Sequence, residues 1–466
     1  MEEIEHLGEQ LHEFFDRFRW TMRTKTRDTS AYGYHYVSGL LRMETQRNIT
    51  AIGRNTGVSG QNMQHFVSNS SWSGTALISE VQSEVRYHPE FEKEAIVVFD
   101  ESADVRAGSM AAGAGRQYNG RLGKVENSQV GVFASLVTPR VNLWIDGELF
   151  VPEHWFETAY AEQRARVGMP KDRIFQTKPQ LAWTIMQRLV DNGIPFKAVA
   201  MDDLYGRNQA LRTHLDEAGI EYYGDVPATT VVYRDKPQVT YEKTGRKDRT
   251  RRIITANQRV EVSDLATSAD LERSTLTLRP NERGMLCAEF ARCRVWVLYG
   301  DMPRQEWLLI RRTGKQTTYV LSNASPDTSL TTMAWRKSHR YFIERSNQDA
   351  KSELGWDEFQ ATKYQAWQHQ LALTILASWF IADTRLSWMA QCSRDPGLLS
   401  QYETDVLPLL SVANVRTLLR ATMPLPQLTK DQAIDLVIEH LVNRTRSRRS
   451  RLAKFAQQSR DPTPEM

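Results

Sequence analysis

EAIVVFDES (residues 94–102) runs four apolar residues, Ile96 to Phe99, straight into the acids Asp100 and Glu101. A continuous apolar run bounded by charge predicts a strand buried on both faces that delivers an acid at its end. QVGVFASLV (129–137) and VNLWIDGELFV (141–151) predict two further strands, the second alternating like a half-exposed one. HWFETAYAEQRARVGMP (154–170) reads as helical, and QLAWTIMQRLVDNG (180–193) as an amphipathic helix closed by Gly193. KAVAMDD (197–203) is a short strand that again ends in acid. NQALRTHLDEAG (208–219) follows as a helix and IEYYGDVP (220–227) as a strand.

Three adjacent strands, then helix–strand–helix–strand, is the order of a ribonuclease-H-like sheet. The expected fold class is therefore α/β: a ribonuclease-H-like core with a β-rich insertion, flanked by helical N- and C-terminal regions. Working outward, residues 1–90 read as a helical domain. Within it, ITAIGRNTGVSGQNMQHFVS (49–68) has the outline of a helix-turn-helix. Ile49 and Ile52 face inward, Gly57 allows the turn, Val58 plugs it and Ser59 caps a second helix whose Met63, Phe66 and Val67 pack back. Such a unit can place its second helix in a major groove; a plain helical hairpin is the other reading. The core occupies 91–225 and 331–390. Between these, 226–330 hold short β-type runs such as TTVVY, CRVWVLYG, EWLLIRR and TTYVLS, and 391–466 are helical with a basic tail.

Of 466 residues, 41% are apolar and 25% charged, the profile of an ordinary soluble protein. With no run of eighteen apolar residues and an acidic, amphipathic start, neither a membrane span nor a secretory signal is expected. Cys287, Cys293 and Cys392 show no metal-ligand spacing and fit a reducing cytoplasm. Net charge is only +4, but RFRWTMRTKTR (17–27), KTGRKDRTRR (243–252) and NRTRSRRSRLAK (443–454) concentrate the positive charge. Each run alone reads equally as solvated surface. Together they point to a polyanion such as double-stranded DNA.

Two acids at strand ends and one on a helix suit a pair of divalent ions about 3.5–4 Å apart, which activate an attacking oxygen and stabilise a leaving one. Magnesium takes oxygen ligands and keeps several waters, so few carboxylates suffice. An Asp at a strand end is on its own most often a turn-former, and local chemistry does not separate Asp202 from Asp203. RKSHRYFIERSNQDAKSELGW (336–356) differs in kind. Arg340, Glu344 and Lys351, at i, i+4 and i+11 of a helix, return to one face. That stripe is either an exposed ion pair or a metal-binding Glu flanked by two phosphate-gripping cations.

The spacing R-x3-E-x6-K resembles the signature of insertion-sequence DDE transposases of the IS-four superfamily, with Lys337 where a Tyr normally stands. GRQYNGRLGKVENSQVGV (115–132), LFVPEHWFE (149–157), FQTKPQLA (175–182) and ELGWDEFQATKYQAW (353–367) are similar to ordered motifs of its IS-seven-hundred-one-like branch. The match runs from about residue 30 to 385. The resemblance implies Asp100, Asp202 (chosen over Asp203 by its spacing to Tyr205 and Gly206) and Glu344 as catalytic metal ligands. It further implies Mg2+ as two ions, with Mn2+ able to substitute, and Arg340, Lys351, Arg116 and Lys124 as DNA-binding cations. Where the family often has Lys-Lys-Gly after the first acid, this chain keeps only Arg106. The implied activity is cut-and-paste transposition: hydrolysis at the element's terminal repeats, then attack of the freed 3′-hydroxyl on target DNA, by a homodimer in a synaptic complex. Some relatives flip a base onto a Trp, for which Trp296 and Trp307 are the candidates. A nuclease without strand transfer and a domesticated DNA-binding regulator are the competing expectations.

Overall fold

The apolar run of EAIVVFDES becomes β1 (Ile96–Val105), with Ile96, Val97, Val98 and Phe99 wholly buried. Around it lie β2 (Gly115–Asn119), β3 (Lys124–Val137), β4 (Asn142–Phe150), β5 (Ala198–Met201) and β6 (Tyr222–Val226). The order β4-β3-β1-β5-β6 has the first three strands antiparallel and β5 and β6 parallel to β1. This is a ribonuclease-H-like sheet. β3 begins earlier than its apolar run suggests, at Lys124, because the unforeseen strand β2 pairs with its polar first half.

Helices α1 (Leu7–Asp16), α2 (Ser30–Arg42), α3 (Ile49–Asn55), α4 (Gly60–Ser68), α5 (Gly74–Tyr87) and α6 (Pro89–Glu94) precede the sheet. α7 (Ala161–Val167), α8 (Lys178–Asp191), α9 (Asp203–Gly206) and α10 (Gln209–Glu217) are interleaved with it. The sequence from 226 to 330 forms β7 (Val231–Tyr233), β8 (Gln238–Lys243), β9 (Thr250–Thr255), β10 (Arg259–Glu261), α11 (Val262–Leu265), β11 (Arg273–Asn281), β12 (Gly284–Tyr299), β13 (Met302–Thr313) and β14 (Gln316–Ser322). Most of these strands extend the same sheet, because β14 pairs antiparallel with β6; β8 and β9 make a separate hairpin. Then come α12 (Leu330–Ser338), α13 (Tyr341–Gln348), a π turn over Asp349–Glu353, α14 (Tyr364–Gln391), α15 (Pro396–Gln401) and α16 (Val412–Thr422).

α14 is apolar nearly all round, the pattern of a helix enclosed on every side, and it packs against β4 as well as α2 and α5. His369 on α14 is buried between the carbonyls of Val67 and Trp72, and Phe380 meets Phe14 edge-on at 5.2 Å. The N-terminal helices thus share a core with the sheet. A second aromatic cluster, Phe133 stacked on Trp144 at 4.0 Å with Trp356 and Trp367 around them, fastens the region after the π turn to β3 and β4.

The computed structural model describes residues 6–426, except 121, 244–249, 257, 269–270, 272, 282–283 and 315, and scattered positions between 429 and 453. Much of the basic runs at 243–252 and 443–454 lies outside the described residues. Residues 1–423 form one unit and 424–466 another. Among the described residues no helix is long and apolar enough to cross a membrane.

Candidate metal centre

Parallel pairing sets the first two acids side by side. Phe99 of β1 is in register with Met201 of β5, so the next residues, Asp100 and Asp202, leave neighbouring strands at the same level. Carboxylate oxygens of Asp100, Glu101 and Asp202 all lie within 4.8 Å of one another. Asp202 is also the N-cap of α9, accepting from the backbone N–H of Leu204 (3.0 Å) and Tyr205 (3.3 Å). Asp203 stands outside the cluster, half-exposed, with Arg207 at 3.6 Å. Close backbone contact holds α9 in place: a Cβ on Gly206 would sit 2.2 Å from the Asp225 carbonyl oxygen.

Burial, reinforced by the charges of Glu101 and Asp202, pushes the Asp100 carboxyl up to about 7, with Arg340 pulling the other way. Asp202 is raised for the same reasons, burial first and Glu101 next. Repelling carboxylates out of water are what a bound cation relieves. Oxygens around an octahedral magnesium with bonds of about 2.1 Å are roughly 3–4 Å apart, so a small closure would let this cluster hold one. The donor set fits a divalent ion.

The α13 side of the site is built by long-range contacts. Asn347 donates from Nδ2 to Asp100 Oδ2 (3.1 Å), while its Oδ1 accepts from the buried Trp144 indole at 2.9 Å. Glu344, one turn earlier on the same helix, is exposed and lies outside the acidic cluster; Arg340 Nη2 is 3.5 Å from it. Arg340 also reaches Asp225 at 3.4 Å. The other oxygen of Asp225 is 2.7 Å from the buried ammonium of Lys337, the residue in the Tyr position of the motif.

The single stripe expected of Arg340, Glu344 and Lys351 is broken. The helix changes to π geometry at Asp349–Glu353, and Lys351 within it is buried against β1 rather than exposed like Glu344. Its ammonium donates to the Ala103 carbonyl and pairs with Asp104, both at 3.0 Å, and Trp356 bonds the other Asp104 oxygen at 2.7 Å. Arg106 is likewise turned inward, donating to Gln129 and to the Phe359 carbonyl.

Arg116 and Lys124 are exposed on the β2–β3 hairpin. Lys124 is roughly 30 Å along β3 from Phe133, the ladder partner of Asp100. Trp296 and Trp307 share one face of the β12–β13 hairpin, opposite Gln305 and Arg294 respectively. Each ring already carries cations: Lys236 at 5.5 Å over Trp296, and Arg292 and Arg294 at 4.4 and 4.8 Å over Trp307.

In the N-terminal region, α3 and α4 form the expected pair of helices around Gly57 at φ +75°, with Ile52, Met63, Phe66 and Val67 buried. Ser59 occupies the cap position, but its side chain makes no capping bond; the turn is closed by the Val58 N–H on the Gly53 carbonyl at 2.8 Å. The outward face of α4 presents Gln61, Asn62, Gln64 and His65.

Two site residues escaped the sequence reading. Glu101 was hidden by strand alternation, which sends adjacent side chains to opposite faces. Asn347 takes its role from Trp144, on a distant strand.

Known proteins resemble this chain in two ways. The family model described as DDE superfamily endonuclease matches residues 11–285, a span that holds Asp100 and Asp202 and stops before α13. A probable transposase for insertion sequence element IS701 from Microchaete diplosiphon is 24% identical over 350 residues, 72% of this chain and 78% of the relative.

Proposed function

The chain belongs to the DDE superfamily endonucleases, and from that membership we propose that it is a transposase that binds the ends of an insertion sequence, cleaves them and joins the 3′ ends to target DNA. The observation that carries this reading is the convergence of Asp100 and Asp202 at the ends of adjacent parallel strands, with α13 laid across them. In this reading Asp100, Asp202 and Glu344 hold two Mg2+ ions, for which Mn2+ can substitute. Such ions supply Lewis-acid activation of the attacking oxygen and charge stabilisation at the leaving one. Glu344, whose exposed carboxylate lies 3.5 Å from Arg340, would be the third ligand from α13.

Protein groups orient the reaction. Asn347 holds Asp100, and Arg340, anchored by Asp225, is left beside the acids to meet a phosphate oxygen. The amide-rich face of α4 enters the major groove of the terminal repeat, where Gln and Asn side chains can pair with adenine edges. The exposed Arg116 and Lys124 grip flanking phosphates, and Trp296 or Trp307 stacks a displaced base. Two copies bind two ends in one synaptic complex.

The relative named as a probable transposase supports this reading. Sequencing the products of the full chain incubated with end-bearing DNA, target DNA and magnesium tests it. Element 3′ ends joined to target are expected. Ends cleaved but never joined would replace it with a nuclease, and bound but uncut ends with a regulator.

A further inference from the structure

The first basic run of the sequence, at 17–27, lies within the described residues and divides into two parts. Arg17 and Arg19 pair with Glu84 and Asp16. Residues 23–28 instead fold into a tight turn before α2. Arg23 and Asp28 bridge, the Thr24 N–H donates to the Arg27 carbonyl at 2.8 Å, and the Arg27 N–H donates back to the Thr24 hydroxyl at 3.0 Å. The Thr29 hydroxyl closes the base of the turn on the Met22 carbonyl at 2.6 Å. Arg23, Lys25 and Arg27 are all exposed on it. Arg23 stands 3.5 Å from Asp28, whereas the side chains of Lys25 and Arg27 make no hydrogen bond or ion pair among the described residues. A second observation is the cleft beside the turn. It has a volume of about 870 Å3 and is lined by Thr24, Thr26 and Arg27 of the turn and by Gln61, Asn62 and His65 of α4. Asp28 is the one acid among its described lining residues, and it is already engaged: Oδ1 accepts from the Ser30 N–H at 2.9 Å and hydroxyl at 2.6 Å, and Oδ2 faces Arg23.

A cleft of hydroxyls and amides, with two unpaired cations on its rim and its acid neutralised, suits a hydrated polyanion. We propose that the turn at 23–28 is a second DNA-binding element, in which Lys25 and Arg27 grip the sugar-phosphate backbone of a duplex lying in the cleft beside α4. Its internal hydrogen bonds fix the main chain that carries the two cations, so little backbone ordering accompanies binding. This rests on the reading of the chain as a binder of element ends, and it divides the work there. α4 reads bases, and the turn adds affinity that is blind to sequence.

Measuring the affinity of the full chain for end DNA and for an unrelated duplex across a salt series, by fluorescence anisotropy, tests the proposal. Wild type is expected to bind with steep salt dependence. Lys25→Gln combined with Arg27→Gln is expected to weaken binding about tenfold on both DNAs at low salt, and to flatten the plot of log affinity against log salt by roughly two. Lys93→Gln combined with Lys197→Gln removes the same charge from exposed positions just before β1 and β5, and is expected to leave affinity and slope as in wild type. If this control weakens binding as the turn variant does, net charge alone is responsible and the proposal falls. Wild-type affinity and slope in the turn variant, or a loss confined to end DNA with the slope intact, overturns the backbone contact and leaves end binding in place. No salt-dependent binding by wild type overturns the reading of end binding together with it.

Discussion

Asn347 is held in one orientation by chemistry alone. The Trp144 indole can only donate, so the amide oxygen must face it and the NH2 must face Asp100. The same economy separates Asp202 from Asp203, since only the first points its carboxylate into the cluster. Asp202→Ala is therefore expected to reduce magnesium-dependent cleavage to background, and Asp203→Ala to cleave near the wild-type rate; the opposite ranking in a cleavage assay would reassign the ligand. Asp100 makes a prediction about pH. Its folded-state carboxyl titrates about 7 against an ordinary value of 3.8, so its contribution to stability is fully present below the ordinary value and is lost as pH rises through the folded one. Without metal, the thermal midpoint should fall more steeply for wild type than for Asp100→Asn between about pH 4 and 7, and equal slopes would contradict the buried repulsion. Asp100 was legible in the sequence as a strand end, and Asp202 through motif spacing. Glu101 was not, because strand alternation argues against two adjacent acids sharing one site.

At the scale of elements, the strand order of the core could be read from apolar runs and helical periods, because burial on two faces leaves an unbroken pattern. The π turn left no such trace. Placing residue i+11 on the face of residue i assumes one regular helix throughout, whereas Arg340 only caps α13 and Lys351 lies in the wider turn at Asp349–Glu353. Lys351 then works as a tie between α13 and β1 through Asp104. Lys351→Met would strand a buried carboxylate, and chemical denaturation should show a loss of about 3–5 kcal/mol. Unchanged stability with weakened DNA binding would instead place Lys351 on a phosphate. On α4, Gln61→Ala combined with Asn62→Ala should weaken binding to the element's ends more than to unrelated DNA; equal loss on both would show that α4 does not read bases.

Over the whole molecule, the region that would grip DNA and the helix that bears Glu344 are physically joined. Arg47, which directly precedes the cap of α3, donates to the carbonyls of Ser352 (2.9 Å) and Glu353 (2.6 Å) at the end of the π turn and pairs with Glu358. Arg416 of α16 grips Glu353 from another side at 2.6 Å. If α3 and α4 dock on DNA as proposed, these contacts would couple that docking to the placement of α13. Arg47→Ala should retain affinity for end DNA in a gel-shift assay while cleaving several-fold more slowly, whereas parallel losses of binding and cleavage would argue that Arg47 serves the DNA contact itself. No reading of local sequence reveals this link, since its partners are brought together only by the shared core around α14. The proposed chemistry depends on the acids at the ends of β1 and β5. Anomalous diffraction from crystals of the full chain soaked in Mn2+ addresses them directly. A peak bonded to both Asp100 and Asp202 is expected; a strongest peak elsewhere, or none at Mn2+ concentrations that support cleavage, would contradict the account.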